Sequence, residues 1–134
     1  MNLIIFDTSI LVNDLRTARY EERLQLTAGL VRLSAVVLAE LWRGANTRAE
    51  RQFLVRLAKN RTVLTPSEKN WIESGEILSR MNVDLGYTAG KLRDLHFDVL
   101  IALTARTHGA RLVTANQSDF EAIWRYRKFD LEVW

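Results

Sequence analysis

The chain has 134 residues, 48% hydrophobic and 26% charged, which excludes a disordered protein and suits one domain with a single core. It has no cysteine, which excludes disulfides and thiolate metal sites, and no apolar run as long as a membrane span. The formal net charge of +3 is compatible with a polyanionic partner but indicates none by itself. We therefore expect a single domain over residues 1–134, cytoplasmic and not inserted in a membrane.

The first element is an apolar strand that ends at a carboxylate. Residues 3–6 read Leu-Ile-Ile-Phe, which is typical of a strand buried on both faces of a parallel sheet, and Asp7 follows directly. Because an unpaired charge in a core is costly, Asp7 is expected at the carboxyl edge of the sheet, where open α/β sheets bind ligands. The alternative is that Asp7 only caps the next turn, and this stretch alone does not separate the two.

Strands and helices alternate along the rest of the chain. After a short turn or helix at 11–14, further strands are predicted at 30–35, 62–64, 111–114 and 129–134. Helices are predicted at 20–28, 36–45, from 47, from 65, at 99–107 and at 116–124. This alternation predicts an α/β fold with three layers, in which helices cover both faces of a central parallel sheet of four to five strands.

Two helix starts carry capping signals. Thr47 and Glu50 match a capping box, with a hydroxyl and a carboxylate three residues apart. Thr65, Pro66 and Glu68 repeat the pattern with proline in the first turn, so Thr65 is predicted to cap the next helix. The buried stripe of that helix is predicted to contain Trp71, Ile72, Ile77, Leu78 and Met81.

Three more carboxylates follow predicted strands. Glu40 lies in the helix after the second strand, Asp98 is expected to open the apolar helix at 99–107, and Asp119 follows the fourth strand. If the strand order brings these segments together, four acids including Asp7 meet at the carboxyl edge of the sheet. Each has a simpler explanation when taken singly, as an exposed helix residue for Glu40 or a first-turn carboxylate for Asp98 and Asp119.

A cluster of four carboxylates requires compensating charge. Two carboxylates about 4 Å apart repel by roughly 4 kcal/mol at an effective dielectric constant near 20, so protons, basic residues or metal ions must be present. The predicted set contains oxygen donors and neither Cys nor His, which favours Mg²⁺ or Mn²⁺ over Zn²⁺. Cations held by carboxylates on a mildly basic domain point to phosphodiester hydrolysis.

The acids lie in four segments, at 7–11, 40–45, 98–105 and 112–120. In this order and spacing, the segments resemble the successive motifs of PIN-domain ribonucleases, and above all the VapC-type toxins of bacterial and archaeal toxin–antitoxin pairs. The resemblance runs from the first strand almost to the C-terminus. It departs at Ala115, where many relatives have a basic residue.

The resemblance implies a PIN-like fold and a metal-dependent endoribonuclease that hydrolyses RNA phosphodiester bonds with metal-bound water, leaving a 5′-phosphate and a 3′-hydroxyl. Two further polar positions match family residues that support the acids or touch that water, namely Ser9 and Asn116. The residues that match the family's catalytic acids, and would hold Mg²⁺ or Mn²⁺, are Asp7, Glu40, Asp98 and Asp119.

Partners are implied in the same way. Relatives are the toxins of type II modules, are typically homodimers, and are inhibited by a small antitoxin, so the resemblance implies an RNA substrate, a cognate antitoxin and a homodimer. The apolar surface expected for a partner lies around Leu24, Leu26, Leu30 and Leu54. Candidate phosphate contacts are Arg16, Arg19, Arg43, Arg48 and Arg93, whereas Trp42 and Trp71 are expected to be packing residues.

Other protein classes fit less well. A phosphotransferase of the haloacid dehalogenase type needs a second aspartate where Ser9 stands, and a receiver domain needs paired acids and a late lysine that are not evident. A catalytically silent PIN-like module that binds RNA or protein remains open as the alternative, and metal-dependent nuclease activity would separate it from the enzyme.

Overall fold

A computed structural model describes residues 2–17, 21–26, 30–59 and 61–134. The strands in these ranges are β1 (Leu3–Phe6), β2 (Leu30–Ser34), β3 (Val63–Leu64), β4 (Arg111–Thr114) and β5 (Leu131–Val133). The helices in the same ranges are α1 (Thr8–Thr17), α2 (Glu21–Leu26), α3 (Ala35–Arg43), α4 (Arg48–Ala58), α5 (Glu68–Leu85), α6 (Ala89–Thr107) and α7 (Gln117–Tyr126). No helix in the described part of the chain has the length and apolarity needed to cross a membrane.

The strands form one parallel sheet in the order β3-β2-β1-β4-β5, with β1 at the centre. On one side Ile4 pairs with Val31 of β2, and on the other Ile5 pairs with Leu112 of β4. The chain moves outward from β1 to β2 and β3, then returns to the far side of β1 for β4. Such a reversal opens a crevice at the carboxyl ends of the two strands, here β1 and β4. The predicted α/β fold with a central parallel sheet is confirmed.

Strand β1 and helix α6 form the middle of the core. Ile5 is fully buried, and every side chain of α6 from Val99 to Ala105 is also buried. Helices α3, α5 and α7 and strand β4 all contact α6, so the segment from Val99 to Ala105 has no face toward solvent. A helix in such a position needs apolar residues all round, as the sequence of this segment provides.

Helix α6 begins earlier than the sequence predicts. It starts at Ala89, and Thr88 caps it by accepting a hydrogen bond of 3.1 Å from the backbone N–H of Lys91. Asp98 therefore lies in the middle of the helix and does not open it. The predicted start at Asp98 was wrong because the glycine-containing stretch 86–90 does not form a long loop before the helix. Instead, Gly86 ends α5 in a left-handed conformation (φ 64°) and Thr88 starts α6 at once.

Helix α5 begins at Glu68 and is capped by Ser67, so the predicted cap at Thr65 is wrong. The Ser67 hydroxyl accepts from the backbone N–H of Asn70, and the Asn70 side-chain oxygen accepts from the N–H of Ser67, both at 3.0 Å. This reciprocal pair places Pro66 just before the cap. At α4 the predicted capping box of Thr47 and Glu50 is confirmed.

Several apolar residues differ in burial from the sequence predictions. Trp71 and Ile72 are 51% and 59% exposed, because the buried stripe of α5 runs through the polar residues Asn70 and Ser74, which bond to α6. The remaining predicted members of the stripe are buried, namely Ile77, Leu78 and Met81. Trp42, expected to be a packing residue, is likewise 43% exposed.

The expected partner surface is also revised. Leu54 is 1% exposed and belongs to the core, whereas Leu26 is 76% exposed and Leu30 is 36% exposed. The predicted helix at 20–28 is observed as α2, and the short element at 11–14 is part of the longer α1. Predictions outside the described residues concern the side chains of Arg16 and Leu24 and the whole of Arg19, Tyr20, Ala28 and Gly29.

The position of the α5 cap can be tested by substitution. Ser67→Ala should lower the free energy of unfolding by about 1 kcal/mol, the usual cost of a lost N-cap. Thr65→Ala is the matched control and should change it by less than about 0.5 kcal/mol, because Thr65 is exposed and precedes the helix. Urea denaturation measures both variants, and equal losses would contradict the cap at Ser67.

Candidate active site

A cleft of about 770 Å³ opens at the carboxyl ends of β1 and β4. All six residues predicted to be catalytic or to support the catalytic acids line it, which are Asp7, Ser9, Glu40, Asp98, Asn116 and Asp119. The other lining residues are Thr8, Arg43, Arg93, Asp94, His96 and Phe97. The strand order therefore brings together segments that are far apart in the chain. The catalytic and metal-binding roles of these residues stay predictions.

Asp7 is 3% exposed and joins the ends of the two central strands. Its Oδ1 accepts a hydrogen bond of 2.5 Å from the Ser9 hydroxyl, and its Oδ2 accepts one of 2.7 Å from the Thr114 hydroxyl at the end of β4. Burial raises the pKa of Asp7, and these hydrogen bonds, which favour the charged form, offset part of the rise. Ser9 also accepts a hydrogen bond of 3.0 Å from the backbone N–H of Ala115.

Glu40 lies on α3, which begins immediately after β2. Ser34 at the end of that strand caps the helix by accepting a hydrogen bond of 3.2 Å from the N–H of Val37. The Thr8 hydroxyl of α1 donates to Glu40 Oε1 over 2.8 Å and so fixes one oxygen of the carboxylate. Burial raises the pKa of Glu40, while the hydrogen bond from Thr8 and the charge of Arg43 lower it.

Asp98 is the most strongly perturbed carboxyl group of the cleft. Its pKa is raised to about 8, mainly by burial in the middle of α6 and further by the negative charges of Glu40, Asp7 and Asp119. Among the described residues, no hydrogen bond to its carboxylate is found, and only the charge of Lys91 lowers the pKa. Asp98 is thus the acid whose charge the protein compensates least.

Asp119 has the opposite environment. Burial alone would raise its pKa, but hydrogen bonds from Lys91 and Asn116, together with the charge of Lys91, lower it below its ordinary value. The Lys91 ammonium donates to Oδ1 over 2.8 Å, and the Asn116 side-chain amide donates to Oδ2 over 3.1 Å. The hydrogen bond to Asp119 raises the pKa of Lys91 in turn. Asp119 is therefore ionised and already paired with a cation.

The donor atoms of the cleft fit a hard divalent cation. Asp7, Glu40 and Asp98 offer carboxylate oxygens, which Mg²⁺ and Mn²⁺ prefer, and the high pKa of Asp98 reflects its burial first and then the negative charges of its neighbours. Within the described ranges, no group of three or more His, Cys, Asp or Glu side chains is already arranged to hold an ion.

Sequence reasoning missed three contributors to the site. Thr8 and Thr114 hold Glu40 and Asp7 through their hydroxyls, and Lys91 holds Asp119. Lys91 lies two helical turns before Asp98 and so on the same face of α6, a spacing that would have indicated it. The prediction that the helix begins at Asp98 concealed this relation.

The sequence profile of the PIN domain matches residues 4–124, and the chain belongs to the PIN domain family. It is similar to VapBC2 from Rickettsia felis bound to a promoter DNA fragment, with 26% identity, 98% of each chain covered and a TM-score of 0.73. It is also similar to DNA-bound VapBC from Salmonella typhimurium (21% identity, 100% of this chain and 99% of that chain covered, TM-score 0.71). The predicted resemblance to VapC-type PIN domain proteins is confirmed. No curated protein matches the sequence.

The raised pKa of Asp98 predicts how the metal-free protein responds to pH. The folded protein keeps this proton up to about pH 8, whereas an unfolded aspartate loses it near pH 3.9. The free energy of unfolding should therefore fall as the pH rises from about 4 to about 8. In Asp98→Asn the fall should be smaller, with the raised pKa values of Asp7 and Glu40 accounting for the remainder.

Urea denaturation in EDTA from about pH 5 to about pH 8 tests this dependence. Glu76→Gln, which removes an exposed carboxylate of α5 outside the cleft, serves as the control and should follow the wild-type protein. Identical pH dependence of wild-type protein and Asp98→Asn would contradict the account of Asp98.

Proposed function

We propose that this protein is an endoribonuclease that depends on Mg²⁺ or Mn²⁺ and acts as the toxin of a type II toxin–antitoxin module. Membership of the PIN domain family supports the proposal. The main structural support is that Asp7, Glu40, Asp98 and Asp119 line one crevice between β1 and β4. In this crevice Asp98 has a pKa of about 8. A group of acids that repel one another in this way is suited to bind a divalent cation.

Asp7, Glu40 and Asp98, with Asp119 beside them, would hold the cation. A bound Mg²⁺ or Mn²⁺ supplies Lewis-acid chemistry, in which it lowers the pKa of water and stabilises charge on the leaving oxygen. At neutral pH the metal-free protein holds a proton on the Asp98 carboxylate, because the pKa of this group is about 8. Cation binding should displace that proton.

The remaining residues of the cleft orient the acids and attract the substrate. The Ser9, Thr114 and Thr8 hydroxyls fix the carboxylates of Asp7 and Glu40, so little reorganisation is needed during the reaction. Arg43 and Arg93 line the same cleft, and their charge favours the approach of a phosphodiester backbone. Positive charge beside the acids lets the cleft admit a polyanion.

An antitoxin is the proposed protein partner. Solved structures similar to this chain include VapBC complexes and a toxin–antitoxin complex from Klebsiella pneumoniae. We propose that an antitoxin segment covers the acidic cleft, that the chain forms a homodimer and that it acts in the cytoplasm. Exposed Leu26 and Leu30 lie near each other in the chain and offer apolar area for either contact.

Cleavage of RNA tests the proposal directly. Purified protein should cut total RNA at discrete positions with Mg²⁺ or Mn²⁺ and leave 5′-phosphates, and EDTA should stop the reaction. Asp98→Asn should lower the rate at least about a hundredfold, as expected for loss of one preorganised electrostatic group. We choose Asp98 because its carboxylate accepts no hydrogen bond from the described residues, so the fold should tolerate asparagine.

Glu76→Gln is the matched control, since it removes an exposed carboxylate of α5 outside the cleft and should keep full activity. If folded, metal-loaded protein freed of antitoxin does not cleave RNA, the catalytically silent binding module is the better description. Activity that persists in both EDTA and Asp98→Asn would contradict the assignment of the site.

A further inference from the structure

Lys91 gives Asp119 a partner that differs in kind from those of the other acids. The Lys91 ammonium lies 2.8 Å from Asp119 Oδ1, and Asn116 donates to Oδ2. Asp7 and Glu40, by contrast, accept side-chain hydrogen bonds from uncharged hydroxyls. A cation from the chain itself therefore already compensates one of the four acids.

The charges around the cleft agree with a single ion. The four acids carry four negative charges when ionised, while Lys91 beside Asp119 and Arg43 near Glu40 carry two positive charges. Arg93 and Asp94, which also line the cleft, cancel each other. Two negative charges are left over, which is the charge that one divalent cation neutralises.

We propose that Lys91 is a positioning residue that limits this site to one divalent cation. The inference rests on the proposed metal-dependent function and adds the number of ions to it. Two-metal sites hold ions about 3.5–4 Å apart, and a second ion here would need Asp119 as a ligand. With Lys91 in place, that ion would have to bind against an ammonium group in contact with the same carboxylate, which Coulomb repulsion opposes. One ion would then be held by Asp7, Glu40 and Asp98.

A merely structural role for Lys91 makes a different prediction. Lys91 lies in the first turn of α6 and Asp119 in the first turn of α7, so their ion pair also joins two helices. If joining helices were its only task, replacing Lys91 would alter stability and leave ion binding unchanged. The side chains are 38% and 24% exposed, and a partly exposed ion pair contributes little to stability, so variants at Lys91 should fold.

The number of bound Mn²⁺ ions tests the proposal in the intact chain. Titration followed by electron paramagnetic resonance of free Mn²⁺ should give one ion per chain for the wild-type protein and for Lys91→Arg, which keeps the charge. Lys91→Gln and Lys91→Met free Asp119 and should each bind two. Thermal denaturation of all four proteins checks that they are folded.

If the wild-type protein shows metal-dependent RNA cleavage, two results would overturn the role of Lys91 and leave the proposed function standing. The first is two ions bound by the wild-type protein, and the second is one ion bound by each of the uncharged variants. No Mn²⁺ binding by folded wild-type protein would remove this inference together with the proposed function. RNA cleavage assayed on the same samples distinguishes these cases.

Discussion

Asp7 is buried at the carboxyl end of the central strand, and the form of the cleft follows from the way its charge is accommodated. A carboxylate that is 3% exposed must be hydrogen-bonded, because burying an unpaired charge would be very costly. Ser9 and Thr114 supply these bonds, and they also accept from the backbone N–H groups of Ala115 and Asn116. This one buried carboxyl group thereby fixes the segments after β1 and β4 against each other, which is where the other acids meet.

The remaining acids differ in how far the protein compensates them. Lys91 and Asn116 lower the pKa of Asp119, whereas Asp98, with no hydrogen-bond partner among the described residues, has a pKa of about 8. The compensation of Glu40 is intermediate, because the Thr8 hydroxyl donates one hydrogen bond to its carboxylate. Negative charge is thus already neutralised by Lys91 on the Asp119 side of the cleft, whereas it is not neutralised on the Asp98 side. This asymmetry underlies both the proposed cation site and the proposed limit of one ion.

The sequence predicted the parallel α/β sheet because each strand is a short apolar run followed by turn or helix signals. It placed Asp7 at a strand end from local pattern alone, but the convergence of Asp7 with the other acids depended on strand order, which no local spacing determines. The resemblance to PIN domains supplied that link. Errors arose where two local signals competed, as at Thr65 and Ser67. They also arose in α5, where polar residues such as Ser74 face α6 and hydrogen-bond to it. Trp71 therefore lies on the exposed side of the helix. Lys91 could not be found once α6 was expected to begin at Asp98.

A crystal structure of the protein soaked with Mn²⁺ would show whether the cleft binds a divalent cation, since anomalous scattering identifies the ion independently of activity. We expect an anomalous peak within bonding distance of the carboxylates of Asp7, Glu40 and Asp98. Mn²⁺ bound elsewhere with this cleft vacant, at a concentration that supports RNA cleavage, would contradict this expectation.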